Sequence, residues 1–299
     1  MSESVTIYEV GPRDGLQNES GVIPPEAKIR YVDLLSDAGL PYIEVTSFVR
    51  PGVIPQLADA AEVYPAVRKD PGRVYGALVP NAKGMQNALA AGVREAAVFS
   101  AASESFTKRN INATIAESIE RFGDVARMAR EANVPLRGYV STVVECPYEG
   151  RIQPEAVADV CARLRDVGVR EISLGETIGV AVPDDVARML DAVLKVCPAE
   201  MLAGHFHDTR GTALANVLRS LEFGLRVFDS SAGGLGGCPY APGAAGNLAT
   251  EDLVYTLERS GYSTGVDLDK LAIASRFIAG HLGRPLASRV YLALASKAR

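Results

Sequence analysis

Eight short runs rich in β-branched and aromatic residues, separated by amphipathic segments, constrain this chain more than any other feature. The runs cover residues 5–10, 42–48, 74–80, 96–101, 136–143, 171–175, 202–207 and 227–231. Between them, apolar positions recur with helical spacing over 25–39, 81–92, 113–132, 154–168, 183–196 and 212–224. Strands that alternate with helices form a parallel sheet, because each parallel crossover needs a connection of helix length. Four helical segments finish at a glycine, Gly39, Gly92, Gly168 and Gly224, the residue that enters the left-handed conformation of a helix stop without strain. Eight is also the strand number that closes into a barrel. The competing architecture is an open doubly wound sheet. It is disfavoured because no Gly-x-Gly-x-x-Gly follows the first run, where a dinucleotide site would need it. Polar clusters instead end many different strands, which is where barrel enzymes build their sites. The expected fold is α/β, a TIM (β/α)8 barrel with extra C-terminal helices packed on it.

A chain of 299 residues suits one such barrel with additions. One catalytic domain is expected over 1–299, with the barrel in about 1–234 and a lid loop and C-terminal helices in about 235–299. Helices are expected over 248–261, with Thr250 as N-cap before Glu251 and Asp252, and from about 267 to 283. No Gly-, Ser- or Pro-rich linker divides the chain. Lys and Arg number 31 against 36 Asp and Glu, for a net charge of −5. The signs are interspersed, which argues against a nucleic-acid partner held through phosphates and leaves room for a basic pocket. No run of about 18 apolar residues predicts a membrane span. The first residues, MSESVTIYEV, lack a secretory pattern, and the SKAR end is no recognised sorting tail. A cytoplasmic location is expected. Cys146, Cys161, Cys197 and Cys238 include no Cys-x-x-Cys pair, which disfavours a structural zinc site. Reduced thiols are expected.

The sharpest local motif is His205-Phe206-His207-Asp208, which holds two of the three histidines. On a strand, residues i and i+2 share a face, so the two imidazoles would converge near the barrel mouth at a spacing suited to one metal ion. Taken alone, the motif does not separate this reading from a pair of hydrogen-bonded structural histidines. A second cluster, Gly11-Pro12-Arg13-Asp14-Gly15-Leu16-Gln17, follows the first run. An isolated Arg-Asp pair is usually a surface ion pair. In a closed eight-stranded barrel, however, strands 1 and 7 lie near each other. Asp14 can then offer an oxygen to the same metal, and Arg13 a fixed positive charge to a developing oxyanion. The third cluster is a glycine-dense loop at 233–242 around Cys238, read as a mobile lid. Its thiol is a candidate acid or base, since a buried structural Cys would not normally sit among so many glycines. Glu44 and Ser47 end the second run, Glu176 and Thr177 end the sixth, and Asn247 and Glu251 follow the lid. Glu44 and Glu176 are read as inward-facing carboxylates near cationic groups. His281 reads as structural, Cys161 and Cys197 as small core hydrophobes, and Cys146 as a thiol near the mouth with nothing to activate it.

Together these motifs resemble those of the 3-hydroxy-3-methylglutaryl-CoA lyase family, within the DRE-TIM metallolyase superfamily. The resemblance covers nearly the whole chain. It rests on VGPRDGLQNE (10–19), IEVTSFV (43–49), SESFTKRNIN (103–112), RGYVS (137–141), CPYEG (146–150), EISLGETIGV (171–180), GHFHDTRGTALAN (204–216) and, most specifically, GLGGCPYAPGAAGNLATEDLVY (234–255). It implies Asp14, His205, His207 and Asn247 as metal ligands, for Mg2+ or Mn2+. It implies Arg13 as the group that contacts substrate and stabilises an acetyl-CoA enolate, Gln17 as a further substrate contact, and Cys238 as the catalytic cysteine of the lid. Glu44 and Glu176 would support the site. The implied reaction is cleavage of a hydroxymethylglutaryl thioester of CoA to acetoacetate and acetyl-CoA, in leucine breakdown. His205 is the favoured base and Cys238 the proton donor, alongside Arg13 and Asp14. A homodimer is suggested by the family and not by the residues.

Two positions depart from the animal members of the family. Glu176 stands where they carry Asp, an extension of about 1.5 Å, one C–C bond. Arg210 stands where they carry Tyr. Both positions bear on which acyl-CoA is taken, and a related lyase with another 3-hydroxyacyl-CoA substrate is the alternative reading. A Claisen-type condensing enzyme of the same superfamily is the main rival, disfavoured by the short chain and the Cys-bearing loop. A non-catalytic barrel that senses a metal or CoA ester is the rival from another class. The full set of Arg13, Cys238 and both histidines speaks against it.

Overall fold

The computed structural model describes residues 3–237 and 246–297. Eight strands, β1 (Thr6–Glu9), β2 (Tyr42–Ser47), β3 (Val74–Leu78), β4 (Glu95–Ala101), β5 (Leu136–Ser141), β6 (Glu171–Glu176), β7 (Leu202–Phe206) and β8 (Val227–Ser230), pair in parallel. Around the barrel the order is β1-β8-β7-β6-β5-β4-β3-β2, with β1 closing on β2. The expected barrel is therefore present. The β1 and β7 strands both flank β8, which brings the residues that follow them to one side of the mouth. The β2–β3 register shifts between Glu44 and Thr46.

The helices are α1 (Pro25–Asp37), α2 (Ala60–Ala66), α3 (Ala82–Ala90), α4 (Glu104–Ile111), α5 (Ile115–Glu131), α6 (Pro154–Val167), α7 (Pro183–Val193), α8 (Ala213–Glu222), α9 (Thr250–Arg259), α10 (Leu268–Leu282) and α11 (Arg289–Lys297). Their apolar faces join the outward faces of the strands in one large core, which includes Ile7, Ile43, Val98, Ile172 and Phe228. The four glycine stops hold: Gly39, Gly92, Gly168 and Gly224 take φ of 98°, 79°, 104° and 91°. The α5 helix opens on a capping box, Thr114 with Glu117. Thr250 is not the N-cap of α9, a position held by Ala249. Its hydroxyl instead donates to Glu9 Oε2 at 2.6 Å, because a buried carboxylate is a better acceptor than water it cannot reach. The α10 helix lies against α1, where the Asp267 amide donates to the Ala38 carbonyl at 2.8 Å. Among the described residues, no helix is long and apolar enough to cross a membrane.

The barrel interior is polar where many barrels are filled by aliphatic layers. Tyr8, Glu44, Glu95, Arg137, Tyr139, Ser173 and Asp229 are all buried. Most of their polar atoms are paired within the barrel or with residues at its ends, which lets the charges persist there. Tyr8 donates to Glu95 at 2.8 Å, and Arg170 donates to the other Glu95 oxygen at 2.6 Å.

Candidate active site

The chain leaves β1 through a single wide turn over Gly11–Gly15, in which the Val10 carbonyl accepts the amides of Arg13, Asp14 and Gly15 at 3.2, 2.8 and 3.1 Å. Glycine is required at both ends of this turn. A Cβ on Gly11 would lie 2.5 Å from a Glu9 carboxylate oxygen, and one on Gly15 would lie 2.7 Å from the Ser231 hydroxyl. The turn delivers Arg13 and Asp14 side by side. Arg13 Nε donates to Glu44 Oε2 at 2.5 Å and its Nη1 to Asp14 Oδ1 at 2.6 Å, so two carboxylates fix the guanidinium plane. Glu44 thus has the cationic neighbour expected of it.

At the end of β7, one ligand atom each from Asp14, His205 and His207 lie within 4.8 Å of one another. His207 sits just past the strand, in a bridge with Asn247. Asn247 Nδ2 donates to Asp14 Oδ2 at 2.8 Å and to the Leu235 carbonyl at 3.1 Å. Gln17 donates to Asp14 Oδ1 at 3.2 Å. All of these but Asn247 line a cavity of about 340 Å3, together with Arg13 and Tyr139.

Electrostatics favour a cation here. Burial opposes the Asp14 charge, but Arg13, His205 and His207 outweigh it and hold the carboxyl below its ordinary range. Burial, and then the neighbouring His205, push His207 down to about 4, so it is a neutral imidazole with a lone pair to give. Two buried atoms on this rim lack a hydrogen-bond partner, His207 Nδ1 and Asn247 Oδ1. Unsatisfied buried acceptors are costly. His207 and Asn247, beside the Asp14 carboxylate and the His205 imidazole, offer the mixed N and O donors that suit a divalent cation.

Glu176 departs from the expectation. Its Oε1 accepts the Val180 amide at 3.1 Å, and its charge meets the amides of 178–181 in place of a cationic side chain. Burial raises its pKa against those amides. Arg210 clasps the same turn through its carbonyls, donating to Ile178 at 3.3 Å and Gly179 at 3.0 Å. Glu176 and Arg210 therefore act on one turn. Cys238 lies outside the described residues. The chain on either side of it is anchored at the site: Asn18 donates to the Gly237 carbonyl at 2.7 Å, and Asp208 to the Gly246 carbonyl at 3.2 Å.

The HMGL-like family model matches residues 4–278. The chain belongs to this family. Hydroxymethylglutaryl-CoA lyase, mitochondrial, of Bos taurus is 55% identical over 288 residues, covering 96% of this chain and 89% of the relative. The crystal structure of hydroxymethylglutaryl-CoA lyase from Pseudomonas aeruginosa superposes with a TM-score of 0.97 at 52% identity, over 99% of both chains. An HMG-CoA lyase from Acinetobacter baumannii, solved in complex with coenzyme A and 3-methylmalate, superposes with a TM-score of 0.92 at 38% identity, covering 96% of this chain and 94% of that one. The resemblance read from the motifs is borne out across nearly the full length.

One part of the HMGL-like site was missed in the sequence. Asp229 on β8 accepts from His205 Nδ1 at 3.1 Å, from Ser173 at 2.7 Å and from both terminal nitrogens of Arg137, at 2.6 and 3.2 Å. The available signal was a charged residue inside each of two strand-forming runs, at 137 and 229, where a buried strand should carry none unpaired.

Proposed function

We propose that this chain cleaves 3-hydroxy-3-methylglutaryl-CoA to acetoacetate and acetyl-CoA through an enolate. The observation that carries the proposal is the convergence of Asp14, His205 and His207 beside Arg13 in one cavity. The names of the bovine and Pseudomonas relatives, and the coenzyme A in the Acinetobacter structure, point to the same substrate class. Held by Asp14, His205, His207 and Asn247, Mg2+ or Mn2+ would supply Lewis acidity to the substrate hydroxyl and a neighbouring oxygen.

The protein groups then have distinct tasks. The hydroxyl proton leaves first; His205 is the proposed acceptor, in a state in which Asp14, His207 and Asn247 hold the cation without it. Because Nδ1 of His205 faces Asp229, only Nε2 can take a proton or hold the cation, one at a time. The bond between the hydroxyl carbon and the thioester's α-carbon breaks. Its electron pair stays with the CoA fragment as the enolate, and the hydroxyl carbon becomes the ketone of acetoacetate. Arg13, fixed by Glu44 and Asp14, stabilises the charge that gathers on the enolate oxygen. Gln17 helps to seat the substrate. Cys238 returns a proton to the enolate carbon. Glu44 and Glu176 support this machinery, Glu44 through Arg13 and Glu176 through the 178–181 turn.

The test is direct. Purified protein with Mg2+ should release acetoacetate and acetyl-CoA in equal amounts from hydroxymethylglutaryl-CoA. Absence of both products would sink the assignment. We further propose that residues 1–299 act as one catalytic unit, that the active form is a homodimer, to be read by light scattering, and that it works in the cytoplasm. The unpaired thiols of Cys146, Cys161 and Cys197 support a reducing compartment.

A further inference from the structure

We propose that Asp229 is a positioning residue. Held by Arg137 and Ser173, it fixes His205 in the tautomer with the proton on Nδ1 and so leaves the Nε2 lone pair for the site shared with Asp14 and His207. This deepens the function proposed above and rests on its metal site.

Asp229 is on β8, and its side chain has no exposure to solvent. Its Oδ1 accepts from Arg137 Nη2 at 2.6 Å, while its Oδ2 accepts from Ser173 Oγ at 2.7 Å and Arg137 Nη1 at 3.2 Å. Two of these three donors come from a guanidinium, which does not give up its proton. Asp229 is therefore a carboxylate and can only accept. The remaining contact, with His205 Nδ1 at 3.1 Å, must then run from N–H to carboxylate. A neutral imidazole has one N–H, so Nε2 carries the lone pair.

Arg137 is itself immobilised. Its guanidinium lies 3.9 Å from the centroid of the Tyr8 ring and 4.8 Å from that of Tyr139. Its Nε donates to Glu171 at 2.6 Å. Strand register builds the column, since Arg137 pairs with Glu171 between β5 and β6, and His205 with Asp229 between β7 and β8. The barrel interior is thus a wired support that runs from Glu171 through Arg137 and Asp229 to His205.

Two measurements test this. Protein labelled with 15N-histidine has only three histidines, and long-range 1H–15N spectra at about pH 8, above the ordinary imidazole range, report the tautomer of each. His205→Gln assigns its signal. A proton on Nδ1 is expected, and a proton on Nε2 overturns the proposal. In the second, free Mn2+ is counted by its electron paramagnetic resonance signal against protein without substrate. Asp229→Asn should weaken Mn2+ binding by about 10- to 100-fold, the range for partners that orient metal-bound histidines. Because that change strands the Arg137 charge, Arg137→Met with Asp229→Asn is measured beside it and should bind as weakly. Wild-type affinity in either folded variant overturns the proposal. Failure of the wild type to bind Mn2+ instead refutes the metal site of the proposed function, and the tautomer still decides the role of Asp229.

Discussion

Glu44→Gln isolates what the second carboxylate does for Arg13. Glu44 is fully buried, with one oxygen on Arg13 Nε at 2.5 Å and the other without a partner. A glutamine of the same shape can still accept from Nε. It replaces a hydrogen bond between two charged groups, worth up to about 3 kcal/mol, with one in which only the guanidinium is charged, worth about 1.5 kcal/mol. The loss is therefore ~1–2 kcal/mol in how firmly Arg13 is held. Arg13 keeps its bond to Asp14 at 2.6 Å and its place against the Tyr139 ring, 5.3 Å from the centroid, so it drifts but is not released. If Arg13 acts on charge that appears only as the bond breaks, the loss falls on the transition state. The kcat should drop about 5- to 30-fold while KM moves by less than about threefold. Steady-state release of acetyl-CoA gives both constants, and the melting temperature checks that the barrel is intact. A folded variant with unchanged kcat would refute the reasoning. So would a raised KM at constant kcat, since that would place Arg13 in ground-state binding alone.

Three further outcomes are expected. Cys238→Ala should keep CoA-ester binding and lose at least about 100-fold in turnover, as for a missing proton donor; unchanged turnover would remove Cys238 from the mechanism. Gly236→Ala should weaken Mn2+ binding by about tenfold or more. Gly236 has φ of 120°, and its new Cβ would stand 2.6 Å from Asn247 Nδ2; titration with Mn2+ is the check, and an unchanged affinity speaks against Asn247 as a ligand. Glu251 is pushed up from 4.5 to about 7, first by burial and against donation from Ser275 and the Gly233 amide. The folded state therefore favours its protonated form. That stabilisation is complete below the ordinary carboxyl value and is lost as pH rises through about 7. Melting curves should show Glu251→Gln gaining on the wild type as pH rises across that window, and a gap that does not change with pH contradicts the buried-acid account.

How much of this could be read from the sequence depends on whether a residue's partner is local or distant. The strands were legible because their core-facing positions carry β-branched and aromatic residues between turn signals, even where Glu44, Arg137 or Asp229 interrupts the run. Gly39, Gly92, Gly168 and Gly224 were legible because a helix stop is a property of one residue's backbone. The α2 helix was not, being seven residues with Pro65 inside, too short for a period to emerge. The wide turn at Gly11–Gly15 has no periodic signature at all. At the site, His205 and His207 were legible from the two-residue repeat of a strand, and barrel closure then supplied Asp14. Glu44 and Glu176 show where such reasoning stops. Both are buried carboxylates on strands, yet one meets Arg13 and the other meets the amides of its own following turn. Strand position fixes the direction in which a side chain leaves the backbone. Its partner is set by which loop folds over that point, and that loop belongs to another part of the chain.

Asp229 and Arg137 are the extreme case. Ninety-two positions separate them, and each looks misplaced until the other is present. A lone charge inside a buried strand is strongly destabilising, whereas a fully hydrogen-bonded pair is tolerated and also enforces one geometry. That geometry is what a site with two imidazoles needs, because an imidazole that can flip or exchange its proton offers its lone pair in more than one direction. An aliphatic filling would stabilise the barrel equally well and leave His205 free to choose. The charged interior is thus best understood as the lower half of the active site, and substitutions that remove Arg137 and Asp229 together should act on metal affinity before they act on the fold.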